Sequence, residues 1–324
     1  MRFHRVVLLL VLLTTSVAKA NDTPALLLPS GLGRPDVVWV SGRVLEEEHG
    51  KHGPRAARTA RVLAATNRVG AAVAVSFMGR TAQAVSGHDG EFEVAIRPAD
   101  GETFPPGLHE VTVQVEQVTA TARVQVLSPD APFLVISDFD DTVAVTNVTS
   151  TPDMLASTFL EDAETQPAVP GMAAFYGCLH EKGAPVAFVS GSPIQLAPRI
   201  ARFLEKNGFP PAALFLRNLG RRTLHGYKEP VLERLAERFP DAKLVLVGDT
   251  GERDPEIYAA FAAAHPGRVA RVFLRRATRD PVPPARWVGA FLFRDPAKAA
   301  GEAAARGLAD EACVAEAFPA AAAR

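Results

Sequence analysis

Two acids one residue apart, Asp138 and Asp140, follow the apolar run Phe133–Ser137 and are themselves followed by Thr142. Ser190-Gly191-Ser192 ends a second apolar run, Lys228 opens a helix-patterned segment, and Gly248-Asp249 ends a further run with Asp254 downstream. Taken singly these are ordinary: an Asp-x-Asp makes a turn, and a Gly-Asp caps a helix. Taken together they are the parts of a magnesium-dependent phosphoryl transfer. Such a reaction needs hard oxygen ligands for Mg²⁺ and a cation and a hydroxyl for the phosphoryl oxygens, which the acids, the lysine and the serine can supply.

That reading holds only if one scaffold brings the parts together. From Phe133 onward, continuous apolar runs (Phe133–Ser137, Val186–Ser190, Ala213–Leu216, Lys243–Val247, Arg271–Leu274) alternate with helix-patterned segments (Pro170–Lys182, Ile194–Asn207, Pro230–Arg238, Pro255–His265). This βαβ repetition predicts an α/β fold, a Rossmann-like parallel sheet with helices on both faces. Ligands then sit beyond the carboxyl ends of the strands, where the acids, the serines and Gly248-Asp249 fall. Upstream, Val37–Val44, Ala71–Phe77, Thr81–Val85, Glu91–Ile96, Glu110–Val115 and Thr121–Val126 alternate with period two. Turns fall at Ser86–Gly90 and Gly107-Leu-His109, which predicts an all-β immunoglobulin- or transthyretin-like sandwich that binds or spaces. The chain therefore divides into 1–20, a β-sandwich at 21–130, a catalytic unit at 131–281, and a strand-helix extension with a fraying Ala-rich tail at 282–324.

Asp138-x-Asp140-x-Thr142, Ser190, Lys228 and Gly248-Asp249-(x4)-Asp254 resemble the four motifs of the haloacid-dehalogenase-like phosphatases. The words Ile136–Thr142, Phe188–Pro193, Gly208-Phe-Pro210 and Gly248–Tyr258 resemble more narrowly the catalytic domain of the actin-patch type of phosphatidate phosphatase, over about Phe133 to Arg276. Val40-Ser-Gly-Arg-Val44 is similar to the β module preceding that domain in relatives. The resemblance implies Asp138 as nucleophile, Asp140 as general acid then base, and Mg²⁺ held by Asp138, Asp249 and the backbone carbonyl of Asp140. It implies Ser190, the Gly191 amide and Lys228 on the phosphoryl oxygens, Thr142 bracing the loop beside the substrate, and Asp254 orienting Lys228 or the metal shell. Gly191 and Phe139 are mild variations on the family pattern. No interval has room for a large cap domain, and by analogy capless relatives act on large or surface-bound phosphates, phosphatidate among them.

Composition bounds the rest. Lys+Arg 35 against Asp+Glu 36 leaves no basic field for nucleic acid. The first residues carry Arg2 and Arg5, an apolar Val6–Leu13 and Ala18-Lys19-Ala20, the pattern of a secretory signal cleaved after Ala20 into periplasm or medium. The run is too short to span a bilayer, which takes about 20 apolar residues. Without Arg2, Arg5 and Lys19 the charge is −4, so membrane contact would be transient. The two cysteines, Cys178 and Cys313, allow one bridge, with a buried structural role for Cys178. The function expected is an exported phosphomonoesterase acting on a lipid phosphate. The alternatives are a general phosphomonoesterase on a soluble phosphate and a non-catalytic binding module.

Overall fold

The computed structural model describes residues 23–46, 66–145, 166–218, 226–277 and 283–319; the signal-like residues 1–20, the basic stretch Lys51–Arg61 and the sequon at Asn147 lie outside them. The upstream unit is one curled eight-stranded sheet: β1 (Ala25–Leu27), β2 (Gly31–Arg34), β3 (Val37–Leu45), β4 (Ala72–Phe77), β5 (Arg80–Val85), β6 (Glu91–Ile96), β7 (Gly107–Val115) and β8 (Val118–Val126). Their order is β1-β3-β2-β8-β7-β4-β5, with β6 on β3. All pairs are antiparallel except β2 with β8. Period-two alternation is the cause of the core: Val73, Val75, Phe92, Val94, Val111 and Val113 turn inward while most of their neighbours are exposed, and Val38, Val40 and Val124 join them, with Trp39 between the first two turned toward the second unit. β1 and β2 were not among the expected strands, being only three and four residues long and interrupted by Pro29 and two glycines. Gly107-Leu-His109, expected as a turn, instead opens β7, because it lies in register with Val124–Val126 of β8.

The second unit is a six-stranded parallel sheet in the order β11-β10-β9-β12-β13-β14. Its strands are β9 (Phe133–Ser137), β10 (Val186–Pro193), β11 (Ala212–Arg217), β12 (Lys243–Asp249), β13 (Val269–Arg275) and β14 (Phe291–Phe293). The helices are α1 (Met172–Glu181), α2 (Ala197–Lys206), α3 (Lys228–Arg238), α4 (Asp254–Ala264), α5 (Pro296–Ala305) and α6 (Glu311–Ala317). Alternate residues of β9 enter different cores. Phe133 and Val135 pack with α1, α2, α5 and α6, while Leu134 and Ile136 pack with α3 and α4. Both faces are thus covered, as the unbroken apolar runs required. Trp287–Phe293, expected as one strand, is strand only from Phe291, because the chain turns where the Ala290 amide donates to the Trp287 carbonyl. The Ala run that ends the chain lies outside the described residues; ahead of it the chain is helical at α6, where the Asp310 side chain caps the Cys313 amide and Cys313 is bonded to Cys178 of α1.

The curled sheet sits against the β11 edge of the parallel sheet. The Leu214 amide donates to the Ser30 carbonyl, and Leu32 and Leu127 join the α3–α4 core. Trp39 lies against Phe239 (centroids 5.8 Å) and under the Arg238 guanidinium (4.8 Å), while Arg238 also pairs with Glu93 (2.5 Å). An otherwise open sheet edge is covered in this way.

Candidate active site

β9 is the central strand, and the chain leaves it through Asp138. The next residue, Phe139, turns into the core against Phe188 and Phe203, so Asp138 and Asp140 are set on the other side of the loop. Asp141 then takes a left-handed conformation (φ 51°), closing a turn in which the Thr142 amide donates to the Asp140 carbonyl. The Arg275 guanidinium, at the end of β13, donates to the Asp141 carbonyl and pins this turn from the far side.

Asp138 is buried, with Lys228 Nζ 2.8 Å from Oδ1 and the Thr142 hydroxyl donating to Oδ2 at 3.3 Å. Lys228 begins α3, and its ammonium also lies 2.5 Å from Asp254 Oδ1 and 3.6 Å from Glu252 at the rim. Asp254, the first residue of α4, uses Oδ2 to accept the Asp249 amide at 3.3 Å. Gly248 makes this closure sterically permissible, since a Cβ there would come within 2.8 Å of both Asp254 Cβ and Tyr258 Cε2. Asp249 Oδ1 accepts the amides of Gly251 and Glu252, whereas its Oδ2 is buried and finds no hydrogen-bond partner among the described residues. Two buried tyrosines floor the site: the Tyr176 hydroxyl meets Ser137 Oγ at 2.5 Å, and Tyr258 donates to the Val247 carbonyl at 3.0 Å.

Asp140 forms the other half. Its Oδ2 accepts from the hydroxyls of Ser190 (2.9 Å) and Ser192 (3.2 Å), and its Oδ1 is buried without a partner among the described residues. Gly191, half-buried between them, offers its carbonyl to Arg217 Nε at 3.0 Å.

Burial pushes the acids up. Asp249 rises to about 8, by burial first and then by the neighbouring Asp254, against the pull of Lys228. Asp140 rises to about 6, chiefly by burial, although the Ser190 hydroxyl pulls it down. Asp138 is also raised, by burial above all, with Lys228 opposing. Burial opposes the charge of Lys228 too, but Asp138 and Asp254 outweigh it and hold the ammonium well above the ordinary lysine range. Physically, four buried carboxyls (Asp138, Asp140, Asp249, Asp254) are matched by the Lys228 ammonium, an excess of negative charge in a dry site. A divalent cation would relieve that excess. Asp138, Asp249 and Asp254 can bring one oxygen each within 4.8 Å of one another, and the unpartnered Asp249 Oδ2 is the donor best placed to take an ion. Both Asp254 oxygens already have partners, which fits an orienting role.

All eight residues singled out in the sequence therefore fall at the carboxyl ends of β9, β10 and β12 or at the starts of α3 and α4. Thr142, expected beside the substrate, is fully buried with its hydroxyl on Asp138, and the Ser190 hydroxyl, expected on phosphate, here holds Asp140. The sequence reading passed over Ser192, Arg217, Glu252 and Arg275. Ser192 lies inside a motif already marked, and Arg217 and Arg275 each follow directly on an apolar run, Ala213–Leu216 and Arg271–Leu274, that the structure extends by one residue at that end.

Residues 133–276 match the family described as the catalytic domain of phosphatidate phosphatase APP1. An uncharacterised protein of Schizosaccharomyces pombe is 31% identical over 157 residues, covering 45% of this chain and 25% of that protein. Phosphatidate phosphatase APP1 of Saccharomyces cerevisiae is 30% identical over 149 residues, covering 43% of this chain and 25% of its own. The chain thus spans about a quarter of the length of these curated relatives. Among solved structures, a phosphoserine phosphatase from T. onnurineus aligns at 14% identity with a TM-score of 0.34, over 54% of this chain and 96% of that one. Over residues 133–276, less than half of its length, this chain is similar to the catalytic domain of phosphatidate phosphatase APP1, and the likeness supports a phosphatase domain there.

Proposed function

We propose that this chain is an exported, Mg²⁺-dependent phosphatase that hydrolyses a phosphomonoester, phosphatidate to diacylglycerol before others, through an aspartyl phosphate. The observation that carries the reading is the buried group in which Lys228 Nζ meets both Asp138 (2.8 Å) and Asp254 (2.5 Å), beside Asp249 with its unpartnered oxygen. The parallel unit is read as haloacid-dehalogenase-like, and the curled sheet as an immunoglobulin- or transthyretin-like spacer. Export is supported by the N-terminal pattern and by the Cys178–Cys313 disulfide, a bond that persists in oxidising compartments.

In the first step a carboxylate oxygen of Asp138 attacks phosphorus as the ester P–O bond breaks, and Asp140 gives its proton to the departing alkoxide. The products are the alcohol and a phosphorylated Asp138. In the second, the Asp140 carboxylate takes a proton from water, whose oxygen attacks phosphorus and releases inorganic phosphate from Asp138. Lys228 and the Gly191 amide neutralise the phosphoryl oxygens, Thr142 and Lys228 orient Asp138, and Asp254 orients Lys228. Mg²⁺, held by Asp138, Asp249 and the Asp140 carbonyl, would when bound supply charge to offset the phosphoryl oxygens. No helix among the described residues is long and apolar enough to cross a membrane, so lipid would be met at a surface.

The test is phosphate release from short-chain phosphatidate in mixed micelles beside a soluble aryl phosphate, with Mg²⁺ and with chelator, and with Asp138→Asn as control. Metal-dependent, Asp138-dependent release favouring the lipid supports the reading. Preference for the aryl ester keeps the chemistry and moves the substrate to a soluble phosphate. Absence of release from both esters refutes the enzyme and leaves a binding module.

A further inference from the structure

Arg217 closes β11 and is only 6% exposed, an expensive position for a guanidinium unless its donors are used. Its Nε donates at 3.0 Å to the carbonyl of Gly191 in the neighbouring strand, where Pro193 and Arg217 are register partners. The same peptide unit presents its N–H, that of Ser192, to Ser190 Oγ at 2.9 Å. With that lone pair engaged, the Ser190 hydroxyl donates to Asp140 Oδ2 (2.9 Å), and the Ser192 hydroxyl donates to the same oxygen (3.2 Å). Asp140 Oδ1 is left without a partner among the described residues. A continuous path therefore runs from the guanidinium through one peptide plane and two hydroxyls to one oxygen of a carboxyl.

We infer that Arg217 is a positioning residue for the Asp140 acid: by holding the 191–192 peptide it keeps both serine hydroxyls on Oδ2 and leaves Oδ1 to carry the proton. The inference rests on the acid role proposed for Asp140. Arginine suits the task because its Nε–H has a fixed direction in a planar, permanently charged group, whereas a lysine ammonium on the same strand end would not fix the peptide plane. The proton at issue leaves Asp140 Oδ1 for the ester oxygen as the P–O bond breaks and the bond from Asp138 to phosphorus forms. Displacing the acid by a fraction of an ångström therefore penalises esters whose alkoxide needs that proton, and spares those whose leaving group departs as a stable anion.

The experiment measures kcat/KM, which reports the bond-breaking step, for the full chain with Mg²⁺ on butyl phosphate and on 4-nitrophenyl phosphate. The variants are Arg217→Lys, Arg217→Met and, outside the buried arginine, Ser192→Ala, each with a thermal melt. All three are expected to lose about 30-fold or more on the alkyl ester and less than about threefold on the nitrophenyl ester. Equal losses on both esters, or unchanged rates in all folded variants, overturn the inference while leaving the phosphatase intact. Should Arg217→Met fail to fold, Arg217→Lys and Ser192→Ala decide it by the same ratio. A wild-type chain that hydrolyses neither of these esters nor short-chain phosphatidate refutes the phosphatase reading itself, and this inference with it.

Discussion

In the curled sheet, β7 buries Val111, Val113 and Val115 and leaves Glu110, Thr112 and Gln114 to water; in the parallel sheet, all five residues of β9 are buried. The first sheet has a single core and an outer face, so its polar side chains are spread over that face. The second is covered by helices on both sides, and its central strand β9 has no exposed face at all. Polar groups there can gather only where the strands end and the helices begin. Asp138, Ser190, Asp249, Lys228 and Asp254 occupy those ends. One architecture disperses charge and the other concentrates it, which is why the candidate site lies in the parallel unit.

Breaking the concentrated end gives the largest effect. Asp138→Asn should reduce phosphate release by at least about 10⁴-fold, the scale on which loss of a nucleophile is felt; a rate within tenfold of the wild type removes Asp138 from the reaction. Next comes the support beneath it. Phe139→Ala empties a fully buried aromatic site and should cost about 3–5 kcal/mol in a denaturant titration. A cost below about 1 kcal/mol would show that the loop does not depend on its inward anchor.

The charge excess itself can be measured without turnover. Mg²⁺ at about a hundred times its dissociation constant should stabilise the chain by about 2.7 kcal/mol, and the melting shift should vanish with chelator and in Asp249→Asn. An undiminished shift in that variant places the ion elsewhere. The contact between the units is the next smaller test. Trp39→Ala removes the ring between Arg238 and Phe239 and should cost about 2 kcal/mol, splitting one melting transition toward two while activity changes less than about twofold. A single unshifted transition would mean that the units are not joined through Trp39. On the dispersed face, Glu110→Ala should change stability by no more than about 0.5 kcal/mol, as expected of an exposed strand position; a larger change breaks the contrast between the sheets.

Much of this was written in the chain. Periodicity located the major strands, because a face that must be dry cannot hide its spacing: Glu91–Ile96 and Phe133–Ser137 begin and end where the alternation and the apolar run do. Motif order and strand-end context found Asp138, Asp140, Ser190, Lys228, Asp249 and Asp254, since each lies next to an element that period or run had already marked. Where local signals were weak, local reading failed. β1 and β2 are too short to show a period, and Gly107 is strand only because β8 pairs with it.

What tertiary structure alone decided are relations between residues far apart in sequence. Whether Cys178 meets Cys313 depends on α6 docking against α1 across a separation of 135 residues, and no property of either cysteine announces it. Arg217 and Gly191 are strand neighbours only through the parallel register of β10 and β11, and Lys228 reaches Asp138 and Asp254 only because three separate elements end at one edge. Residue type and spacing determine which groups can do chemistry, because valence, charge and local period belong to the chain itself. Which oxygen each donor occupies is set by distance in the folded molecule, and those distances exist only once the helices close over both faces of the sheet.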